Sequence, residues 1–220
     1  MATRMSALVT LTRHSLKYPK EIIDEYIKNG IEVVHLRKLT KLGFAKQAWD
    51  KISYTVEEYL KFWHEAVEYI EKLKLEGKFI NERAIIMAEE KIREDKDISY
   101  FDWRSPCGAG IGQIAYDYTG DVYTCDEARM LRDDKFKLGN VKDNHYEDFV
   151  KNQRCFDCIV ASTITRYECC DKCVYSPYCG NCPVLNYTEK GTTDINPEET
   201  EMCKCSMFVF DWVVRKYFLG

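Results

Sequence analysis

Hydrophobic positions in the first 95 residues switch between strand-like and helix-like spacing. The β-rich run at residues 7–11 predicts a strand. The apolar residues from Ile22 to Ile27 share one face of a predicted helix that runs from about Pro19 and ends at Gly30. A second apolar run at residues 31–36 follows at once. The pattern therefore predicts a β-α-β unit whose two strands are parallel.

A longer amphipathic helix follows this unit. Thr55 and Glu58 have the spacing of a capping box and open a segment with apolar residues at helical intervals, among them Trp63. A shorter helix is predicted from Asn81 to Arg93. Because a parallel sheet needs helices on its faces, these segments predict an α/β fold up to about residue 95.

The residue composition of the sequence changes after residue 95, and we place a domain boundary near residue 96. Cysteine, glycine and tyrosine become frequent there. Segments 111–118 and 122–125 flank Gly120 and predict a hairpin with a glycine turn. Helical spacing returns only at residues 197–218. We therefore predict a first domain over 1–95 and a small, cysteine-rich second domain over 96–220.

Composition and charge exclude several classes of protein. With 45% hydrophobic residues the chain can bury a real core. The net charge of -4 gives no basic footprint for nucleic acid. No run of about eighteen apolar residues exists, which excludes a transmembrane helix. The chain starts without an apolar signal segment, so a disulfide framework is disfavoured and a reducing cytoplasm is the expected compartment.

The cysteines carry the strongest chemical signal. Eleven are present, and four follow the pattern Cys170-x2-Cys173-x5-Cys179-x2-Cys182. A Cys-x2-Cys pair can place two thiolates on one metal centre, and iron-sulfur clusters suit this density of thiolates best. The other seven are Cys107, Cys125, Cys155, Cys158, Cys169, Cys203 and Cys205.

The wider spacing resembles the SPASM domain of peptide-modifying radical SAM enzymes. The resemblance rests on Cys107-x12-Gly120-x4-Cys125, on the central four-cysteine motif and on Cys203. One gap differs, because two residues precede the fourth cysteine of the central motif where the family usually has three. Segments 8–16, 34–37 and 43–45 resemble late strands and loops of a radical SAM barrel, so the resemblance covers nearly the whole chain. Within the family, the segment 175–183 is most similar to maturases of His-Xaa-Ser repeat peptide systems.

The resemblance implies a fold and a set of cofactors. Residues 1–95 would form part of a parallel (β/α) barrel, and residues 96–220 a SPASM-like domain with two auxiliary 4Fe-4S clusters. The family's topology interleaves the ligands of these clusters. They would be Cys107, Cys125 and Cys182 for the first cluster, and Cys170, Cys173, Cys179 and Cys203 for the second.

Some residues keep more than one interpretation. The first cluster lacks a fourth protein ligand, which Cys155, Cys158 or Cys169 could supply, or the site could stay open to substrate. Arg13 and Arg37, at the ends of predicted strands, could face the S-adenosylmethionine or substrate pocket, because ligands of such barrels bind at the carboxyl ends of strands. Surface salt bridging is an alternative for both arginines.

The family's radical-generating signature, Cys-x3-Cys-x2-Cys, occurs nowhere in the 220 residues. This chain alone is therefore not expected to make a radical. A complete (β/α) barrel needs roughly 250 residues, whereas about 95 here match one. We interpret the chain as the C-terminal portion of a peptide maturase that acts on a ribosomal peptide. A missing N-terminal half or a partner chain would bind S-adenosylmethionine.

Two other classes of function fit the cysteines. Cys155-x2-Cys158 and Cys170-x2-Cys173, separated by eleven residues, have nearly the spacing of a zinc ribbon. That pattern would describe a zinc-stabilised, non-catalytic interaction protein. The chain could also be a stand-alone iron-sulfur electron carrier. Plain structural thiols remain an alternative for Cys169 and Cys205.

Overall fold

The computed structural model of the protein describes residues 5–96 and 98–219. In this part of the chain two compact units form. The first comprises the chain up to Thr40, Gln47–Ile98 and the chain from Cys205 onward, and the second comprises Lys41–Lys46 and Ser99–Lys204. None of the described helices is both long and apolar enough to cross a membrane.

The secondary structure mixes short strands with helices. The strands are β1 (Ala7–Thr10), β2 (Val33–Arg37), β3 (Asn81–Glu82), β4 (Ala115–Tyr116), β5 (Asp121–Tyr123) and β6 (Lys137–Asn140). The helices are α1 (Pro19–Lys28), α2 (Ala45–Ile52), α3 (Val56–Leu75), α4 (Arg83–Glu94), α5 (Asp126–Leu131), α6 (Tyr146–Val150), α7 (Gln153–Ser162), α8 (Glu168–Asp171), α9 (Pro183–Lys190) and α10 (Glu201–Val214).

The sheet of the first unit is parallel and has the strand order β1-β2-β3. Val9 pairs with Leu36 across β1 and β2, and Val34 pairs with Glu82 across β2 and β3. The predicted parallel β-α-β unit is therefore confirmed. The first helix ends where the sequence predicted, because Gly30 has a φ of 71° that a residue without Cβ adopts at little cost.

Helix α3 supplies much of the first unit's core. Thr55 and Glu58 form the predicted capping box, with the Glu58 amide donating to Thr55 Oγ1 at 3.1 Å and the Thr55 amide donating to Glu58 Oε2 at 2.7 Å. The buried residues of α3 recur at helical spacing, as predicted. They are Val56, Tyr59, Phe62, Trp63, Ala66, Val67, Ile70 and Leu73.

The C-terminal residues pack on this helix. Phe208 and Trp212 both meet Trp63 edge to face, with ring centroids 5.8 and 6.3 Å apart. Val213 is fully buried, and Lys216 forms an ion pair with Glu71. The helix predicted over 197–218 is present, but it begins at Glu201 after a 3-10 turn.

The second unit has a three-stranded antiparallel sheet in the order β4-β5-β6. The predicted hairpin is confirmed, and its turn is closed by the Gly120 amide, which donates to Asp117 O at 2.9 Å. Gly120 has a φ of 91°, which explains the glycine. The strands are shorter than predicted, and hydrophobic periodicity predicted neither β6 nor the helices α5 to α9.

A carboxylic acid is buried at the end of the parallel sheet. Glu82 is 1% exposed, and its side chain accepts hydrogen bonds from the amides of Leu36 (3.2 Å) and Ile85 (3.1 Å). Burial raises its pKa to about 7, although these amides act in the opposite direction. The indole N–H of Trp63 lies near enough to Glu82 to favour its charged form. The N–H forms no hydrogen bond of standard geometry, to Glu82 or to any other of the described residues. The first unit therefore carries a group that gains its charge near neutral pH.

Substituting Glu82→Gln should destabilise the protein less at pH 8 than at pH 5, by about 2 to 3 kcal/mol. The folded pKa lies above the ordinary value of 4.5. Protonated Glu82 therefore stabilises the fold fully below about pH 4.5, and this contribution is lost as the pH rises through 7. Urea unfolding of both proteins at the two pH values measures the difference.

Two features of the experiment isolate Glu82. The pKa of His35 is lowered to about 4 by burial and by Arg37 and Arg83, so its own contribution rises with pH, but it is common to both proteins and cancels. Glu57→Gln, at an exposed position of α3, is the control and should show no such pH dependence. Equal destabilisation by Glu82→Gln at both pH values would contradict the assignment.

Candidate metal centre

Four cysteines line one cavity in the second unit. The space between its lining atoms, open surroundings at the mouth included, is about 330 Å³. The four cysteines come from four separate segments of the chain, and each is at most 8% exposed. Two acidic side chains, Asp102 and Glu127, line the same cavity. The cysteines are Cys107, Cys125, Cys158 and Cys182.

Cys107 is held by its backbone. Its amide donates to Ser162 Oγ at 3.1 Å, which fixes the segment against the end of α7. The glycine-rich run that follows turns the chain sharply, with φ values of 87° at Gly108 and 77° at Gly110. The Ala109 amide lies near the Cys107 sulfur and lowers its pKa, against the larger, opposite effect of burial. This glycine-rich run forms a turn that leads to β4, and it does not open a helix.

Cys125 and Cys182 both occupy the residue immediately before a helix. The Ala128 amide of α5 donates to Cys125 Sγ at 3.4 Å. The Leu185 amide of α9 lies near the Cys182 sulfur and lowers its pKa, against the larger, opposite effect of burial. Pro183 occupies the first turn of α9, where its missing N–H costs nothing. Amides at the start of a helix favour a thiolate over a thiol, so both positions suit a metal ligand.

Cys158 reaches the cavity from the middle of α7. Beside it lies the hydroxyl of Thr124, which is fully buried and has no hydrogen-bond partner of standard geometry in the described residues. The hydroxyl nevertheless lies near enough to Cys158 to lower its pKa against the larger, opposite effect of burial. Burial dominates, and the pKa of Cys158 is raised to about 12.

All four cavity thiols are neutral in the ligand-free chain at pH 7. Burial is the largest cause of the raised pKa in each case, and the nearby carboxylate of Glu127 adds to it for Cys107, Cys125 and Cys182. Since a metal ligand must be a thiolate, binding has to release these protons and replace the cost of desolvation by metal-sulfur bonds. The cavity is therefore a poor site for free anions and a suitable one for a cationic metal group.

The loop before Cys182 is fixed by buried polar contacts. Asn181 is 2% exposed, and its side-chain amide donates to Ala161 O of α7 at 2.9 Å. Asn186 in turn donates to Asn181 Oδ1 at 3.0 Å. Gly180 lies so close to the segment 102–104 that a Cβ there would approach Asp102 O to 2.5 Å. These contacts bring the end of the central motif against the segment that carries Cys107.

A second group of cysteines surrounds the rest of the central motif. Its members are Cys169, Cys170, Cys173, Cys179 and Cys203. All of its members are partly buried. Burial raises the pKa of Cys203 to about 11, and the proximity of Cys179, Cys173 and Cys169 adds to the effect. The pKa of Cys170 is raised by burial first, then by Cys169, whose sulfur lies 3.8 Å from its own, and by Cys179 and Cys203. This group contains all four predicted ligands of the second cluster.

The two pairs of the zinc-ribbon alternative do not come together. Cys155 belongs to a separate apolar cluster with Phe149, and its thiol donates to Phe149 O at 3.3 Å. Cys158 lines the cavity, while Cys170 and Cys173 belong to the second group. In residues 5–96 and 98–219, no three His, Cys, Asp or Glu side chains lie close enough to hold a single metal ion.

The two predicted cofactor-binding arginines lie near the carboxyl edge of the parallel sheet. Arg37 is the last residue of β2, and Arg13 follows β1, which pairs with β2. The Arg13 guanidinium donates to Ser53 O at 2.8 Å. Their role in binding S-adenosylmethionine stays a prediction. His35 is nearly always neutral at pH 7, because its pKa is lowered to about 4.

No known family profile matches the chain, and no curated protein does either. Solved structures do match. "Native anSMEcpe with bound AdoMet" superposes with a TM-score of 0.68 at 17% sequence identity, over 95% of this chain and 55% of that one. "Native anSMEcpe with bound AdoMet and Cp18Cys peptide" gives a TM-score of 0.66 over the same shares of the two chains. This chain has the fold of about half of anSMEcpe.

The neighbour anSMEcpe is an anaerobic sulfatase-maturating enzyme, a radical SAM/SPASM enzyme. The present chain spans just over half of its length. At 17% identity, the match to anSMEcpe shows a common fold and leaves the ligands and the reaction of this chain to be argued from its own residues.

The sequence alone did not identify all the residues that line or support the cavity. Cys158 was one of three candidates for the fourth ligand, because a Cys-x2-Cys pair on a helix does not reveal which sulfur faces the site. Thr124 and Glu127 gave no signal beyond their closeness to Cys125 in the sequence. Asn186 gave no signal either, although its side chain is buried and donates a hydrogen bond to Asn181.

Substituting Gly180→Ala should destabilise the second unit by about 1 to 3 kcal/mol or more, because the new methyl group would overlap backbone atoms that have no room to move. Gly112→Ala is the matched control, since a Cβ there meets its nearest neighbour at an ordinary 3.4 Å. Urea unfolding and metal content per chain measure both effects. Equal stability of the two variants would contradict the close approach at Gly180.

Proposed function

We propose that the chain is the auxiliary cluster-binding portion of a radical SAM/SPASM peptide-modifying enzyme and that it binds two 4Fe-4S clusters. The first cluster would be held by Cys107, Cys125 and Cys182. The second would be held by Cys170, Cys173, Cys179 and Cys203. The observation that carries the proposal is the cavity into which distant cysteines converge. The common fold with anSMEcpe supports it.

The donor set of the cavity suits an iron-sulfur cluster. Such clusters are held by cysteine thiolates and span the space between them, so their ligands surround a volume and do not meet at one point. The cavity sulfurs surround a volume in this way. Amide N–H groups directed at sulfur, as at Cys125, are among the contacts that tune the potential of such clusters.

The protein's own residues would set what the clusters do. The first cavity excludes most water, because its cysteines are at most 8% exposed, and it places two carboxylates beside the sulfurs. Both properties disfavour an added electron and so favour a low reduction potential. A bound cluster would supply one-electron transfer, and the cysteines of the second group, which are only partly buried, suit exchange with a donor or acceptor at the surface.

Radical generation would need residues outside these 220, because the sequence has no Cys-x3-Cys-x2-Cys motif. These could lie in a longer polypeptide or in a partner chain. In the proposed enzyme, residues 1–95 form part of the barrel, and Arg13 and Arg37 face bound S-adenosylmethionine or the substrate. The substrate would be a ribosomal peptide, and it is a peptide that anSMEcpe holds in its complexes.

Anaerobic reconstitution should give a brown protein with about eight irons and eight acid-labile sulfides per chain. Cys182→Ala and Cys179→Ala should each lower the iron content, by about one to four irons per chain, but from different clusters, although the two residues are only three positions apart. Iron, sulfide and zinc analysis, with electron paramagnetic resonance of the reduced proteins, separates these species.

Cys205→Ala serves as the control and should keep both clusters, because Cys205 belongs to neither proposed ligand group. One or two zincs with no iron in the wild type would overturn the proposal and favour a structural zinc protein. Identical spectra for Cys182→Ala and Cys179→Ala would show that the two ligand groups are not separate.

Substituting Glu127→Gln should raise the reduction potential of one cluster and leave the other unchanged. The carboxylate raises the pKa of Cys125, which shows that its charge acts on this part of the cavity, and the same charge opposes reduction. Glu147→Gln, on the exposed face of α6, is the control. A redox titration followed by electron paramagnetic resonance measures both, and an unchanged potential in Glu127→Gln would contradict the assignment.

A further inference from the structure

The first cluster has only three cysteines in the ligand set that the family resemblance implies, which would leave one iron open to substrate or solvent. We propose that Cys158 is the fourth protein ligand, so that the first cluster is closed. This inference rests on the proposed function, because it concerns a ligand of a cluster that the proposed function requires.

Position in the fold separates Cys158 from the other two candidates. Cys158 lines the cavity together with Cys107, Cys125 and Cys182. Cys155, one helical turn earlier on α7, lies in a different apolar cluster. Cys169 lies beside Cys170 in the second group.

The hydrogen bonds of the cysteine sulfurs also set Cys155 and Cys169 apart from the cavity cysteines. The Cys155 thiol donates to Phe149 O at 3.3 Å, and the Cys169 thiol donates to Asn196 Oδ1 at 2.7 Å, so each uses its own proton. Among the other cavity sulfurs, Cys125 Sγ accepts a hydrogen bond from the Ala128 amide at 3.4 Å, and the amides of Ala109 and Leu185 lie near Cys107 and Cys182 and favour their thiolates.

Thr124 provides the corresponding donor for Cys158. Its hydroxyl is completely buried beside the Cys158 sulfur and lacks a partner of standard geometry in the described residues. A buried hydroxyl without a partner costs about 1 to 3 kcal/mol. A cluster-bound thiolate at Cys158 would accept this hydrogen bond and remove the cost. A neutral thiol is a weak acceptor and would leave it largely in place.

A closed cluster has a different role from an open one. With four cysteine ligands, no iron of the first cluster is left to bind a carboxylate, thiolate or amine of a peptide. The cluster would then transfer electrons and tie α7 to the segments before α5 and α9. The recognition of a peptide would have to lie elsewhere.

The test compares Cys158→Ala with Cys155→Ala in the full chain, each reconstituted anaerobically with ⁵⁷Fe. Mild oxidation of Cys158→Ala should remove about one iron per chain and produce the electron paramagnetic resonance signal of a three-iron cluster. Added imidazole or cyanide should shift its spectrum by binding the open iron. The wild type and Cys155→Ala should show neither effect.

Two further variants still test the proposal if Cys158→Ala fails to fold. Cys158→Ser should keep all the iron, because its oxygen can replace the thiolate, but with a changed Mössbauer spectrum for one iron site. Thr124→Val should keep all the iron and lower the potential of one cluster, since a hydrogen bond to a ligand sulfur is lost. A purely structural role of either residue would change neither the iron-site spectrum nor the potential.

The outcomes distinguish the two proposals. A wild type without iron would overturn the proposed function and this inference together. A wild type with two clusters, one of which already binds cyanide and loses an iron on mild oxidation, would overturn only the assignment of Cys158. Wild-type spectra in all Cys158 variants, or the three-iron signal in Cys155→Ala, would also overturn only the assignment of Cys158.

Discussion

The convergence of four buried thiols in one cavity is the constraint on which the second unit depends. Its main apolar cluster has nine buried residues, and four of them are the cavity cysteines. The rest of that core is small, with Phe136 and Tyr123 as its bulkiest members. Cysteine packs as a small hydrophobe, so the ligand-free chain can close around the thiols. If metal binds there, the binding energy is also folding energy, which makes cofactor loading and folding a single process.

The two units are stabilised by different means. The first unit has a parallel sheet and a long capped helix, and its core contains large side chains such as Trp63 and Ile70. Its buried acid Glu82 is held by backbone amides. The second unit has short strands and helices joined by tight turns, and buried asparagines connect its loops. Such a unit gains most from a cluster, because a cluster joins segments that are far apart in the sequence.

Local sequence signals predicted the first unit well and the second only in part. The capping box at Thr55, the glycine stop at Gly30 and the apolar face of α3 depend on near neighbours, so periodicity was sufficient. Four of the missed helices, α5, α6, α8 and α9, have only four to eight residues, which is too short for periodicity to show. Two of them follow a cysteine, which carries no helix signal. The choice between Cys155 and Cys158 depends on how α7 packs, and that is decided by residues outside α7, such as Thr124 and Phe149.

The most direct test of this account is an anomalous diffraction map at the iron absorption edge from crystals of the anaerobically reconstituted protein. The account predicts two iron clusters, one within the cavity and bonded to Cys107, Cys125, Cys158 and Cys182, and the other among Cys170, Cys173, Cys179 and Cys203. Single tetrahedral zinc ions, or a cluster bonded to Cys155, would contradict it.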